Sequence, residues 1–283
     1  MNPSYPAELP VVVSTSFAVP ANGEGGPTRL SDLVNKYKLP MWVDEIRIAS
    51  TSTGFVGGFY NIMTTTNIRI LFGRYQITRE FVPGTILAPL WPGVGQIVMR
   101  LHKPLYITPQ DLPVPTVRST SALTVIFTLV GRLAEPLPVG SKIWVPYVTA
   151  FAGAETAIGA TSSQESNRTD LANPFRTPLT ARFFVGHRTI DDLSTGINTG
   201  TINSGPPITV RMSNHLGRPI VRDPTPFYDL FNVRDQAWAV NATLPVGGYF
   251  IANVNVDASD SLRAQNFRIS MFGYRQEEIQ WGT

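Results

Sequence analysis

Hydrophobic and polar positions alternate along residues 266–275 (NFRISMFGYR), with Phe267, Ile269 and Met271 on one face and Arg268 and Ser270 on the other. That period of two marks a half-buried strand. Residues 124–132 (TVIFTLVGR) repeat the pattern: Val125, Phe127 and Leu129 stand where Phe267, Ile269 and Met271 stand, Thr128 matches Ser270, and Gly131 matches Gly273. The two runs lie 142 residues apart, half of a 283-residue chain. If each closes a domain, the protein is one fold written twice, and both apolar triplets are buried in a core.

Between these runs the pattern predicts strand after strand. Residues 41–48, 55–63, 67–72, 74–81, 85–90, 95–101, 105–108, 114–117 and 121–132 carry short apolar runs about ten residues apart, punctuated by Gly, Pro or Asp. Residues 142–150 make one more strand or an extended crossover. Residues 181–190, 207–212, 219–222, 237–243, 248–257 and 267–275 resume the series. Such spacing belongs to sandwiches and barrels. A single modest helical pattern occupies 28–37, with Leu30, Leu33 and Val34 on one side and Ser31 as its cap. The Pro/Gly-rich residues 1–28, whose apolar knot is Val11 to Val13, read as an arm. Residues 152–178 are small and polar and read as a long linker, and 192–205 as a polar loop.

The repeat extends beyond the closing strands. Trp42-Val43 and Ile48 match Phe184-Val185 and Ile190, and Ile68-Arg69-Ile70 matches Val210-Arg211-Met212, all at a spacing of 142. GRYQITREFVP (73–83) aligns with GRPIVRDPTP (217–226), and Pro104 and Pro245 precede the last strands of each half. Ordered matches at nearly constant spacing are the signature of an internal duplication.

Composition narrows the function. Charged residues make up 15% of the chain, against about 25% in an ordinary soluble domain. The surface is therefore rich in neutral polar residues, as subunit interfaces are, because buried ions are expensive. The net charge of +3 is scattered singly, without the basic runs of nucleic-acid tails. With no cysteine, neither a disulfide nor a thiolate metal site can form. MNPSYPAELPVVV lacks the basic region and apolar core of a signal peptide, and no apolar run approaches the roughly 18 residues of a membrane span. The expectation is a soluble protein made in a cytoplasm.

Candidate chemistry is sparse. No two of His102, His187 and His215 stand at i, i+2 or i, i+4, so neither a zincin nor a cupin metal cluster can be written. His187 with Asp191 and Asp192 is the nearest approach to a ligand set, at a spacing that does not converge in a strand. No Gly-x-Ser-x-Gly elbow accompanies the serines. The paired acids Asp44-Glu45, Asp191-Asp192 and Glu277-Glu278 are adjacent, so strand geometry sends them to opposite faces. The Gly-rich turn at Trp91 to Gly95 lacks the residues of a phosphate loop. Asn167-Arg168-Thr169 and Asn241-Ala242-Thr243 are glycosylation sequons without a secretory context. Trp42, Trp91, Trp144, Trp238 and Trp281 are spread as core aromatics rather than gathered as a sugar platform. The expectation is a protein that is not an enzyme, with no catalytic, cofactor-binding or metal-ligating residues and no cofactor.

The chain resembles the major capsid proteins of the vertical, double jelly-roll lineage of tailless, membrane-containing icosahedral viruses. The carrying residues are Gly73-Arg74-Tyr75-Gln76-Ile77-Thr78-Arg79-Glu80 and Gly217-Arg218-Pro219-Ile220-Val221-Arg222-Asp223, Leu101–Pro104–Leu105 and Leu244–Pro245–Val246, and the closing Gly131-Arg132 and Gly273-Tyr274-Arg275. The likeness covers roughly residues 40–283. It implies an all-β chain of two consecutive eight-stranded jelly rolls, at 29–151 and 179–283, preceded by the 1–28 arm and joined by the 152–178 linker. The alternative is one jelly roll with an inserted or appended β domain, working with a second, smaller capsid protein. The resemblance further implies a homotrimer that tiles a virion shell with neighbouring capsomers, minor capsid and vertex proteins, and an internal membrane. Neither nucleic-acid recognition nor a small-molecule substrate is implied. The arm is expected to order only in the assembly. The rivals are a bicupin, which lacks its histidines, a double-sandwich amidase, and a glycan-binding protein.

Overall fold

A computed structural model describes residues 9–50, 66–72, 75–78, 82–83, 96–120, 122–152, 161–192, 197–198, 208–231, 237–257 and 264–279. Its regular structure is β throughout, apart from a 3-10 turn at Leu30–Leu33 and a four-residue α-helix at Phe227–Leu230. The strands read at 55–63 and 85–90 fall outside the described residues. The chain divides into two compact units. It leaves the first within one strand, between Val148 and Thr149, and re-enters it within another, between Gly273 and Tyr274.

In the first unit, β1 (Pro10–Val19), β2 (Gly23–Gly25), β3 (Met41–Ser50), β4 (Thr66–Phe72), β5 (Tyr75–Gln76), β6 (Val82–Pro83), β7 (Gln96–Ile107), β8 (Pro113–Ser119) and β9 (Leu123–Leu133) form two sheets. One has the order β1-β9-β3-β7. The other has the order β2-β8-β4-β5, with β6 also on β4. Successive strands thus swap between sheets, and the last inserts beside the first, which is jelly-roll topology. The core is filled from both inner faces: Val13, Phe17, Ile46, Ile48, Val125, Phe127 and Leu129 from one sheet, Ile68, Ile70 and Val117 from the other, all buried.

The second set of strands retraces this path. It comprises β10 (Lys142–Ala152), β11 (Thr161–Glu165), β12 (Leu171–Ala172), β13 (Leu179–Asp192), β14 (Ile197–Asn198), β15 (Ile208–Asn214), β16 (Pro219–Pro226), β17 (Ala237–Leu244), β18 (Tyr249–Asp257) and β19 (Ala264–Glu278). β10, β19 and β13 lie side by side with β17 on β13, and β11-β18-β15-β16 is the companion sheet, with β12 on β18. With β11 and β12, both laid on β18, counted as one position, the order first–last–third is the same in both copies, so the chain is two jelly rolls in succession. Phe267, Ile269 and Met271 are buried as Val125, Phe127 and Leu129 are, which is what the duplication requires. The alternative of one jelly roll with a separate β domain does not describe this chain.

Several sequence expectations give way. Within the 1–28 arm, the described residues 9–28 are not a free tether: Val11, Val13, Thr15, Phe17 and Val19 alternate into the core, and β1 pairs with β9 from Pro10↔Arg132 to Val19↔Leu123 without a break. β2 follows on β8. Within the 152–178 linker, the described residues 161–178 are not a plain connection, since they contain β11 and β12, both laid on β18. β11 (TSSQE) has no apolar residue, and its pairing is a matter of backbone hydrogen bonds that side-chain patterning cannot reveal. The helix of 28–37 shrinks to one 3-10 turn, starting after Arg29 with no side-chain cap from Ser31. The runs 95–101 and 105–108 are a single strand, β7, interrupted where its register to β3 shifts between Val43 and Glu45. Pro104 lies in that interruption, whereas Pro245 lies in the turn between β17 and β18, so the two prolines are not equivalent. The 192–205 loop begins with a short pairing of β13 and β14.

The third strands also realign. Their matched positions lie 138 apart rather than 142; β3 has a bulge at Asp44, whereas the register shift opposite Ala181 to Phe183 of β13 puts its extra residue on β17. Gly131 faces β3 at Trp42 and Val43, and Gly273 faces β13 at Thr180 and Leu179, which fixes that alignment independently.

Candidate functional site

Of the acids singled out by sequence, Asp44, Glu45 and Glu277 are paired with arginines. In β3, Asp44 accepts from Nη1 of Arg132 at 3.3 Å through both carboxylate oxygens. Glu45 accepts from Nη2 of Arg47 at 2.6 Å and lies 3.2 Å from Nε of Arg100. All are part-exposed, so the pairs fix local geometry more than they stabilise the fold. Glu277 accepts from Nε of Arg275 at 2.7 Å. Asp191 and Asp192 sit at the end of β13 opposite Asn198 and Ile197. Asp44, Glu45 and Glu277 are each turned to an arginine rather than to a second carboxylate.

The histidines do not converge. His102 is exposed on β7, and its backbone N–H donates to the Tyr274 hydroxyl at 2.6 Å. His187 lies on β13, its side chain outside the described part. His215 occupies the β15–β16 turn, 6.1 Å from the Tyr249 ring, and its buried Nδ1 lacks a hydrogen-bond partner among the described residues. No three His, Asp or Glu side chains group as a metal site among the described residues.

The tryptophans act as packing and capping groups. Trp42 meets Tyr106 edge-on at 5.0 Å, Trp238 stacks on Phe184 at 5.9 Å, and Lys103 lies over the Trp144 ring at 5.9 Å. Trp91 and Trp281 fall outside the described residues. A shallow hollow of about 230 Å³ opens between Asn22, Glu24, Asn67, Arg118 and Ser119. Its two charges, Glu24 and Arg118, are paired with each other. No reacting group is presented there.

Polar side chains that are buried serve as architecture. Asn173 donates to the carbonyls of Thr177, Leu244 and Pro245 at 3.0–3.2 Å and accepts from the N–H of Phe175 at 3.0 Å. The Tyr106 hydroxyl donates to the Glu135 carbonyl at 3.3 Å and accepts from the N–H of Leu137 at 3.0 Å. Burial raises its pKa above the usual 10.0, partly opposed by the Leu137 hydrogen bond. Sequence patterning singled out neither residue, because the Asn173 tie to Leu244 and Pro245 and both Tyr106 partners are backbone atoms distant along the chain.

What the geometry does present is a surface. On the outer face of β1 and β9, Pro10, Val12, Ser14, Ser16, Ala18 and Thr124 are exposed, and Ile126, Thr128 and Val130 are half-buried. Val12, at 65% exposure, is one of the few exposed large apolar residues. The matching face of the second copy is covered: Pro146 and Val148 of β10 and Ser270, Phe272 and Tyr274 of β19 are all buried. The half-buried strand expected at 266–275 is therefore buried on both sides.

No known protein family and no curated protein matches the sequence. Among solved structures, the chain is similar to the major capsid protein P2 of bacteriophage PM2, at 8% identity and a TM-score of 0.48, covering 96% of this chain and 98% of that one. It is also similar to a chain of the Sputnik virophage, at 8% identity and a TM-score of 0.44, covering 96% and 86%. PNGase F of Flavobacterium meningosepticum, a glycosylasparaginase, is similar at 10% identity and a TM-score of 0.30, covering 94% and 89%.

Proposed function

We propose that this chain is the major capsid protein of an icosahedral virus, and that it acts by assembling with itself rather than by catalysis. The observation that carries the proposal is the succession of two jelly rolls with the same strand order in one chain. A jelly roll offers flat, largely neutral sheet faces suited to lateral packing, and it is a recurrent capsid architecture. Two in tandem let one gene product supply two quasi-equivalent building blocks, so three copies form a pseudo-hexameric tile. The scarcity of charge supports the same reading, since heterologous contacts in a shell bury large areas. It is the role that the PM2 protein bears by name. Location in the virion, contacts with minor capsid and vertex proteins, and an internal membrane under the shell belong to the same proposal.

The test is the native mass and form of the purified chain, by sedimentation and negative-stain electron microscopy. Trimers or closed shells are expected. A persistent monomer that releases glycans from a glycopeptide would replace the proposal with the glycosylasparaginase reading.

A further inference from the structure

We infer that one end of the second unit, where β18 begins, is a docking surface for an anionic lipid bilayer. The inference goes beyond self-assembly and is carried by residues of that unit alone.

The strand pairing brings four loops to this end. Ala172 of β12 pairs with Tyr249, and Asn214 of β15 pairs with Phe250. The turn before β12 and the turn after β15 therefore flank the start of β18 on its two sides. Asn173 ties the 173–177 loop to the Leu244 and Pro245 carbonyls, in the turn that leads into β18. Neighbouring strands stand about 5 Å apart, so these loops share one small surface.

Two of the turns carry an apolar side chain at the tip. The N–H of Gly217 donates to the Asn214 carbonyl and that of Gly248 to the Pro245 carbonyl, both at 2.9 Å. Leu216 and Val246 are thus central residues of four-residue turns, and they are 64% and 59% exposed. A single exposed aliphatic residue is ordinary. What surrounds this pair is not.

Arg168, Arg176 and Arg218 are exposed on the same loops, and none forms an ion pair among the described residues. The Arg168 guanidinium lies over the Tyr249 ring at 5.9 Å, and the His215 ring stands 6.1 Å from the same ring. Carboxylates do not offset these cations. Asp170 accepts from the N–H of Asn167 at 2.8 Å. Glu165 pairs with Asn253, four residues along β18 from Tyr249, which is roughly 13 Å from the tip by strand rise.

Aliphatic tips that enter the acyl boundary, arginines at headgroup depth and a tyrosine between them match an anionic bilayer in both polarity and charge. An acidic polysaccharide would meet the arginines and leave Leu216 and Val246 in water.

The test is sedimentation of the full chain with vesicles of phosphatidylglycerol and phosphatidylcholine in equal parts, and with vesicles of phosphatidylcholine alone. Binding to the first should be at least tenfold tighter than to the second; equal binding, or none, overturns the inference. Arg168→Ala/Arg176→Ala/Arg218→Ala should weaken binding by about fivefold for each arginine, roughly a hundredfold together. Leu216→Ser/Val246→Ser should weaken it at least tenfold, and wild-type binding by this variant overturns the inference by leaving only a cationic patch. Val139→Ser, at a residue 74% exposed in another turn, should change nothing, and an equal loss there also overturns it. Should one variant fail to fold by circular dichroism, the other decides. Trimers or shells that ignore the vesicles overturn this inference and leave the capsid reading standing, whereas a monomer that binds them does the reverse.

Discussion

The carbonyl oxygen of Trp42 occupies the space that a side chain on Gly131 would need. The obstacle is backbone, held in place by the β3 bulge, so it has nowhere to yield. Gly273 meets the Thr180 carbonyl in the same way, with a added Cβ 2.8 Å from the oxygen and 3.1 Å from Cδ1 of Leu179, which has more freedom. Gly131→Ala should therefore destabilise by about 2–3 kcal/mol and Gly273→Ala by less. Urea unfolding midpoints check the order; equal stability of Gly131→Ala and wild type contradicts it.

Asn173 is the tie that holds residues 173–177 to the turn after β17. Asn173→Ala leaves three carbonyls without this donor at a buried site and should lower stability by about 2–3 kcal/mol. Asn173→Asp is the sharper probe. It keeps the shape but turns an acceptor toward those carbonyls, so it should be at least as damaging as Ala. Differential scanning calorimetry of both variants measures this.

Tyr106 predicts an alkaline effect. Its pKa is raised in the folded state, chiefly by burial, so the folded chain holds its proton to a higher pH than the unfolded chain does. The stability it contributes is complete below the unfolded value near 10.0 and is lost as pH rises through the folded one. Tyr106→Phe should cost about 1 kcal/mol at neutral pH. Above pH 10 the gap between wild type and variant should narrow, as followed by urea midpoints across pH 8–12.

Arg275 stands where the first copy has Leu133, and it is 1% exposed. It lies 2.7 Å from Oε1 of Glu277 and donates from Nη1 to the Gln76 carbonyl at 3.3 Å. Glu277→Ala removes one charge-assisted hydrogen bond from this buried guanidinium and should cost about 2 kcal/mol. Arg275→Leu/Glu277→Gln, which restores the residue type of the first copy, should cost less than the single change. A thermal melt of each variant settles the comparison.

Deleting residues 1–28 should not leave a folded body that has merely lost a tether. The deletion removes β1 and β2, uncovering β9 along its whole length and taking Val13, Phe17 and Val19 from the core. Loss of the first unit's unfolding transition in calorimetry is expected. A full-height melt contradicts it.

The closing strands were legible because their inner faces are purely apolar at a period of two, and because a glycine marks the same close approach in each. The all-β class and most strand positions followed from the same signal. β1 was obscured by its surroundings: Val11, Val13, Phe17 and Val19 alternate correctly, but prolines and glycines on either side make the segment resemble an arm. β11 carries no side-chain signal at all. The four-residue realignment of β3 on β13 shows only in which backbone each closing-strand glycine meets. The acid pairs looked unpromising from adjacency alone, and the structure adds the reason: Asp44 and Glu45 are each engaged by arginine. Burial of Ser270 on its outward face was illegible, because it depends on what covers the sheet.

The uncharged face of β1 and β9 has a thermodynamic consequence. Ionic strength acts on separated charges within about 10 Å at 0.1 M salt, and this face offers none along most of its length. Contacts made through it would survive concentrated salt that dissolves charge-matched assemblies. Their driving force would instead be release of water from Val, Ile and Ala surfaces, which weakens on cooling. Such contacts would hold firm in brine and loosen in the cold.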